Sequence, residues 1–232
     1  MMKKAVLLGL GALPILLGAA AASLVMPRKE KARGSGRPCI VCIGDSITFG
    51  HGVIMTRSRD AWPRILERRL RGKYAVLNFG FSGATLLREG DMPYRADFWQ
   101  AARDRRAEIY LLMLGTNDSK PYNWDAKRYA AQLDERVREL KALPSAKRVC
   151  LMAPPPAFKK HSEDACAAFD IDPAVIRDEI RPIVRETAEK NGVEFIDLYA
   201  PMEGHSEYMT DGVHPNRQGN EAIADYIAGH LA

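Results

Sequence analysis

Five residues of this 232-residue chain have the types and spacing that nucleophilic catalysis needs. Ser46 lies in Gly44-Asp45-Ser46-Ile47-Thr48, directly after an apolar run, on a turn that exposes its hydroxyl and starts the next helix or turn. A serine placed there can attack an electron-poor centre, and its own backbone N–H is positioned to stabilise the oxyanion that results. Asp211-Gly212-Val213-His214-Pro215 sets a carboxylate and an imidazole three residues apart across a glycine turn. The carboxylate can hold one ring nitrogen while the other takes a proton from a serine hydroxyl. Asn117, in Gly115-Thr116-Asn117-Asp118, is a neutral and directional N–H donor. Gly83, in the stretch from Asn78 to Thr85, lets a backbone N–H approach a ligand with no Cβ in the way. Singly, each fits a turn or a helix cap at least as well. The combination and its order point to one site. His51, His161, His205 and His230 lack comparable partners and read as solvated or structural.

Such groups converge only if the elements between them bring the strand ends together. Short apolar runs at 38–44, 74–79, 108–114, 148–153 and 193–198 read as buried parallel strands. Between them the spacing predicts helices over 60–71, capped by Asp60, and over 94–105 and 125–142. A further helix over 173–190 is kinked at Pro182 and stopped at Asn191-Gly192, and a closing helix over 215–231 has Pro215 in its first turn. Strands separated by helices of this length imply an α/β fold, a parallel sheet with helices on both faces. Ligands then bind at the carboxyl ends of the strands. Three of the four segments singled out above follow a strand there, and the fourth precedes the last helix.

With Ser46, Gly83, Asn117 and Asp211-x-x-His214 in this order, residues 38–232 resemble the SGNH hydrolase superfamily, also called GDSL-type esterases. The one departure is Asp45-Ser46-Ile47 in place of Asp-Ser-Leu, an apolar exchange that leaves the chemistry alone. The resemblance implies a three-layer α/β/α sandwich with a five-stranded, flavodoxin-like parallel sheet. It also implies an ester hydrolase with Ser46 as nucleophile, His214 as base and then acid, and Asp211 as its orienting carboxylate. Ser46, Gly83 and Asn117 would form the oxyanion hole. No cofactor and no metal is expected: Cys39 and Cys42 lie in a strand, point to opposite faces and have no second ligand pair.

The wording around Ser46, Gly83 and Asn117 is similar to exported bacterial carbohydrate esterases, sialate O-acetylesterases among them. Tyr122 and Trp124, among polar residues just after Asn117, suit sugar recognition, or form a loop around a core tryptophan. The expected substrate is a small-molecule or glycan acetyl ester. A lysophospholipase, an acyl-thioesterase or an acyltransferase on the same fold is the alternative, and a non-catalytic glycan-binding module is the alternative of another class.

Composition narrows the rest. With 47% hydrophobic and 27% charged residues the chain can bury one sizeable core and is not a disordered polymer. Its formal charge of +5 sits at one end: Lys3 and Lys4 supply +2 and Arg28–Arg37 a net +4, which leaves −1 over 38–232. No basic excess remains there to track phosphates, so nucleic acid is not an expected partner. Lys3 and Lys4, the uncharged run 5–25 and the small residues at 18–23 read as a signal peptide; an uncleaved membrane anchor is the alternative. Residues 26–37 read as a basic flexible linker. Export to the periplasm or outside the cell follows from that reading, and a disulfide involving Cys150 or Cys166 stays open there.

Overall fold

The computed structural model describes residues 36–232; the leader or anchor read from residues 1–25, and most of the linker, lie outside them. Five strands form one parallel sheet: β1 (Cys39–Gly44), β2 (Ala75–Gly80), β3 (Ile109–Met113), β4 (Arg148–Ala153) and β5 (Glu194–Asp197). Their order across the sheet is β2-β1-β3-β4-β5. The chain leaves β1 to one side for β2 and returns past it to β3, so the β1 and β3 carboxyl ends flank the crevice where the winding reverses.

The pleat sends alternate strand residues to opposite faces. Val41 and Ile43 join Leu77, Tyr110 and Leu112 in one core layer, under helices α3 (Ala96–Arg103), α4 (Ala126–Lys141) and α5 (Arg181–Asn191). Ile40 and Cys42 join Val76, Leu111 and Met152 in the other, under α2 (Trp62–Arg69) and α6 (Arg217–Leu231). Cys39 packs on the first layer and Cys42 belongs to the second, so the two thiols do point apart. Cys150 and Cys166 are free thiols. The result is the expected three-layer α/β/α sandwich.

Several boundaries differ from expectation for local reasons. Asp60 does not cap α2: it closes a separate turn, Arg57–Asp60, and pairs with Arg59 at 2.9 Å. Pro215 stays outside α6, whose cap is the Asn216 side chain accepting the Gly219 N–H. The helix expected over 173–190 is composite: a turn Pro173–Val175, a π-helical stretch Ile176–Ile180, then α5. Pro182 stands where the π-helical stretch gives way to α5, so the ladder is interrupted where the register changes. Arg37, read as linker, donates to the Gly72 carbonyl and to Glu67, and so belongs to the domain.

Two contacts aim the strand ends at the crevice. A Cβ on Gly80 would lie 2.1 Å from the Phe49 backbone nitrogen, so only glycine allows the end of β2 to touch the segment after β1. Buried Asn220 accepts the Trp62 N–H at 2.9 Å and donates to the Pro215 carbonyl at 2.7 Å, joining α2 and α6 to the segment that carries His214.

Candidate active site

Beyond β1 the chain turns at once into a short helix, α1 (Ser46–Phe49), capped by Asp45, whose Oδ1 accepts the Ile47 N–H at 2.9 Å. The Ser46 N–H is thus at a first helical position, where no intrahelical acceptor exists. Asn78, on β2, donates to the Thr48 carbonyl at 2.8 Å and fixes the turn from the side. Asp45 is fully buried, and burial pushes its carboxyl up to about 6 against the Ile47 hydrogen bond.

The structure brings Ser46, His214 and Asp211 into one line. Ser46 Oγ is 2.9 Å from His214 Nε2, and His214 Nδ1 is 2.7 Å from Asp211 Oδ2. Ser46 and His214 are each 6% exposed. The other Asp211 oxygen accepts the backbone N–H groups of Val213 and His214 at 3.0 and 2.8 Å. Partial burial alone would raise this carboxyl, but the bonds from His214 and Val213 outweigh it and hold Asp211 down at about 2. It stays ionised and locks the ring with Nε2 toward the serine.

Gly83 and Asn117 come together where the loop after β2 meets the turn after β3. Gly83 has a φ of +83°, which favours glycine, and Asn117 donates one amide N–H to the Ala84 carbonyl at 3.1 Å. A carboxamide carries a second N–H. The two segments are tied at several points. Asp118, buried directly behind Asn117, accepts the N–H groups of Leu86 and Leu87 at 3.0 and 2.8 Å. Its burial, reinforced by the charge of Asp45, pushes its carboxyl up to about 7 despite those bonds. Asn123 donates to the Asn117 carbonyl at 2.9 Å and to Asp91 at 2.8 Å, and accepts the Asp91 N–H at 2.9 Å. Lys120 pairs with Asp91 at 2.8 Å.

Of the other residues, His51 departs from its sequence reading. His51 packs on His214, ring centroids 4.5 Å apart, and burial followed by the neighbouring imidazole lowers its basicity. Its proximity in sequence to Ser46 was the available signal. Phe169 meets His214 edge-on from another direction, centroids 5.2 Å apart, and nothing in its sequence surroundings marks it. Trp124 is engaged in packing: its ring lies on Tyr129 and its N–H bonds Glu179 at 2.9 Å. Tyr122 remains exposed. His205 pairs with Glu207, and His230 bonds the Tyr226 carbonyl.

Residues 42–222 match the model of the GDSL-like lipase/acylhydrolase family. An acetylxylan esterase of Xylanibacter ruminicola is 33% identical over 229 residues, which cover 90% of this chain. The chain spans 45% of that protein's length. Two solved structures share the fold, and at their level of identity the fold alone. A carbohydrate acetylesterase of Sinorhizobium meliloti has a TM-score of 0.69 and 20% identity over 84% of this chain and 98% of its own. A putative arylesterase of Agrobacterium tumefaciens has a TM-score of 0.68 and 22% identity over the same shares. With the family match spanning most of the chain, this protein belongs to the GDSL-like lipase/acylhydrolase family.

Proposed function

We propose that the protein is a serine esterase that removes acetyl groups from carbohydrate hydroxyls. The observation that carries the mechanism is the unbroken chain Ser46–His214–Asp211, with 2.9 and 2.7 Å links. His214 Nε2 takes the serine proton as Ser46 Oγ bonds to the ester carbonyl carbon. The carbonyl oxygen becomes an oxyanion, met by the Ser46 and Gly83 backbone N–H groups and the Asn117 amide. As the intermediate collapses, the C–O bond to the alcohol breaks and His214 delivers its proton to that oxygen. Water, deprotonated by His214, then hydrolyses the acyl-serine and releases acetate. Asp211 remains a carboxylate throughout and stabilises the imidazolium.

The short acyl chain and the carbohydrate alcohol are both supported by the similarity to the acetylxylan esterase. Ser46→Ala tests the reading. It should lower kcat on p-nitrophenyl acetate by roughly four to six orders of magnitude while circular dichroism stays unchanged. A mutant that keeps near-normal turnover removes Ser46 from the mechanism.

A further inference from the structure

The segment that follows β4, residues 154–172, is anchored at both ends on the site. At its start the Phe158 N–H donates to the Gly212 carbonyl at 2.7 Å, inside the Asp211–His214 turn. At its end the Asp172 N–H donates to Ser119 Oγ at 3.2 Å, two residues beyond Asn117. Between these anchors stands Phe169, 56% exposed although it is a large apolar side chain. Its backbone is left-handed, φ 62° and ψ 28°, and Asp170 follows at φ 60°. Two consecutive non-glycine residues in that region are uncommon, and a bulky aromatic there is an outlier that the surroundings must impose. The Ala167 N–H to Ile171 carbonyl bond, 2.8 Å, closes the loop and holds it. Burial does not account for the arrangement, because the ring is left facing solvent.

What the ring does face is His214, edge-on at 5.2 Å. His214 is the group that returns a proton to the departing alcohol, so a side chain leaning on it from the open side borders the alcohol rather than the acyl group. A cleft of about 600 Å³ adjoins this point, its lining including Asp211 of the triad and Ala168, the residue before Phe169. Its lining mixes apolar surface, Phe158 and Ala167, with the polar side chains of Lys159, Ser206 and Thr210. Apolar surface interleaved with hydrogen-bonding groups matches a sugar, whose C–H faces stack on aromatic rings while its hydroxyls seek polar partners.

Resting on the esterase reading above, we infer that Phe169 is the stacking platform of the alcohol subsite, carrying the sugar ring whose hydroxyl is acetylated, and that the adjoining cleft takes the continuation of the glycan. Phe169 is a specificity residue and takes no part in bond breaking.

The test compares an acetylated xylo-oligosaccharide with ethyl acetate, which presents the same acyl group on an alcohol with no ring. Phe169→Ala should lower kcat/KM on the oligosaccharide about tenfold, mainly through KM, and at least fivefold more than on ethyl acetate. Phe169→Trp should restore most of the loss. Phe169→Gly relieves the left-handed backbone while removing the ring, and should show the same discrimination as Phe169→Ala. Equal losses on both substrates would mean that the ring acts through His214 or the fold, and would overturn the subsite. An oligosaccharide KM unchanged in Phe169→Ala would overturn it too. A wild-type protein that hydrolyses ethyl acetate but no sugar ester sinks this inference and leaves the esterase standing. One that hydrolyses no ester at all sinks both.

Discussion

The two flanks of Ser46 are built in opposite ways. On the flank of Gly83 and Asn117, two segments from different strand ends are laced by side-chain hydrogen bonds from Asp118, Asn123, Asp91 and Lys120. Asp118 is wholly buried and Lys120 is buried, while Asn123 is half-buried and Asp91 exposed. On the flank of His214, the segment 154–172 is held by one backbone hydrogen bond at Phe158 and one from the Asp172 N–H to the Ser119 hydroxyl. It carries an exposed aromatic on a left-handed backbone. The contrast follows from what each flank is proposed to meet. An oxyanion forms at one point in space, and donors stabilise it fully only if they need no rearrangement as charge develops. The alcohol varies in size and leaves after each turnover, so its flank needs surface and access more than rigidity.

Breaking the laced flank directly should have the largest effect. Asn117→Ala removes one proposed oxyanion donor and should lower kcat on p-nitrophenyl acetate by about two to three orders of magnitude, with a smaller change in KM. A loss confined to KM would reassign Asn117 to substrate binding.

Asn123→Ala sharpens the comparison, because it leaves all three proposed donors in place and removes one of the braces between Asn117 and the Asp91 segment. A kcat loss of roughly tenfold is expected, since small misplacements of catalytic groups cost one to two orders of magnitude. The loss should be the same on ethyl acetate and on a sugar acetate. Selectivity between the two substrates would contradict a role confined to the oxyanion side.

The smallest effect concerns stability. Asp118 has a folded-state pKa of about 7, raised by burial, against an ordinary value of 3.8. A carboxyl raised in this way favours the fold most when protonated, and that contribution declines as pH rises from about 4 towards 7. Asp45, raised to about 6, acts in the same direction over the lower part of that window. Asp211 has the opposite sign, and its contribution is lost only as pH falls from about 4 towards 2. His51, whose basicity burial lowers, opposes Asp118 and Asp45 below its ordinary value. In thermal denaturation between pH 4 and 7 the Tm of Asp118→Asn should therefore rise relative to the wild type by a few °C across the window. An unchanged slope would show that Asp118 does not titrate there.

How far the chain could be read in advance depended on the range of the interactions involved. The five strands and their parallel order were legible because a buried strand is a continuous apolar run, and each helix between two runs dictates a crossover. The residues Ser46, Gly83, Asn117, Asp211 and His214 were legible because their meaning is local: each stands at a fixed offset from a strand end or a helix start. Asp211 and His214 are three residues apart, so the bond between them needs only one turn.

The composite helix over 173–191 was less legible, since a π-helical stretch keeps the apolar spacing of an α-helix and shifts only the hydrogen-bond register. His51 gave only its nearness in sequence to Ser46, and Phe169, Asp118 and Asn123 gave no such sign. Their roles come from neighbours far away in the chain: His214 for the first two, the loop after β2 for the others. No local pattern announces a left-handed phenylalanine, because its conformation is set by the closure of residues 167–171 between the turns that carry Asn117 and His214. Nor does the residue type of Asp118 reveal that it is buried, since only packing removes a carboxylate from water. The order of the chemical groups was thus a property of the sequence. The burial, bracing and aromatic walls around them arise only when segments distant in the chain close on one another.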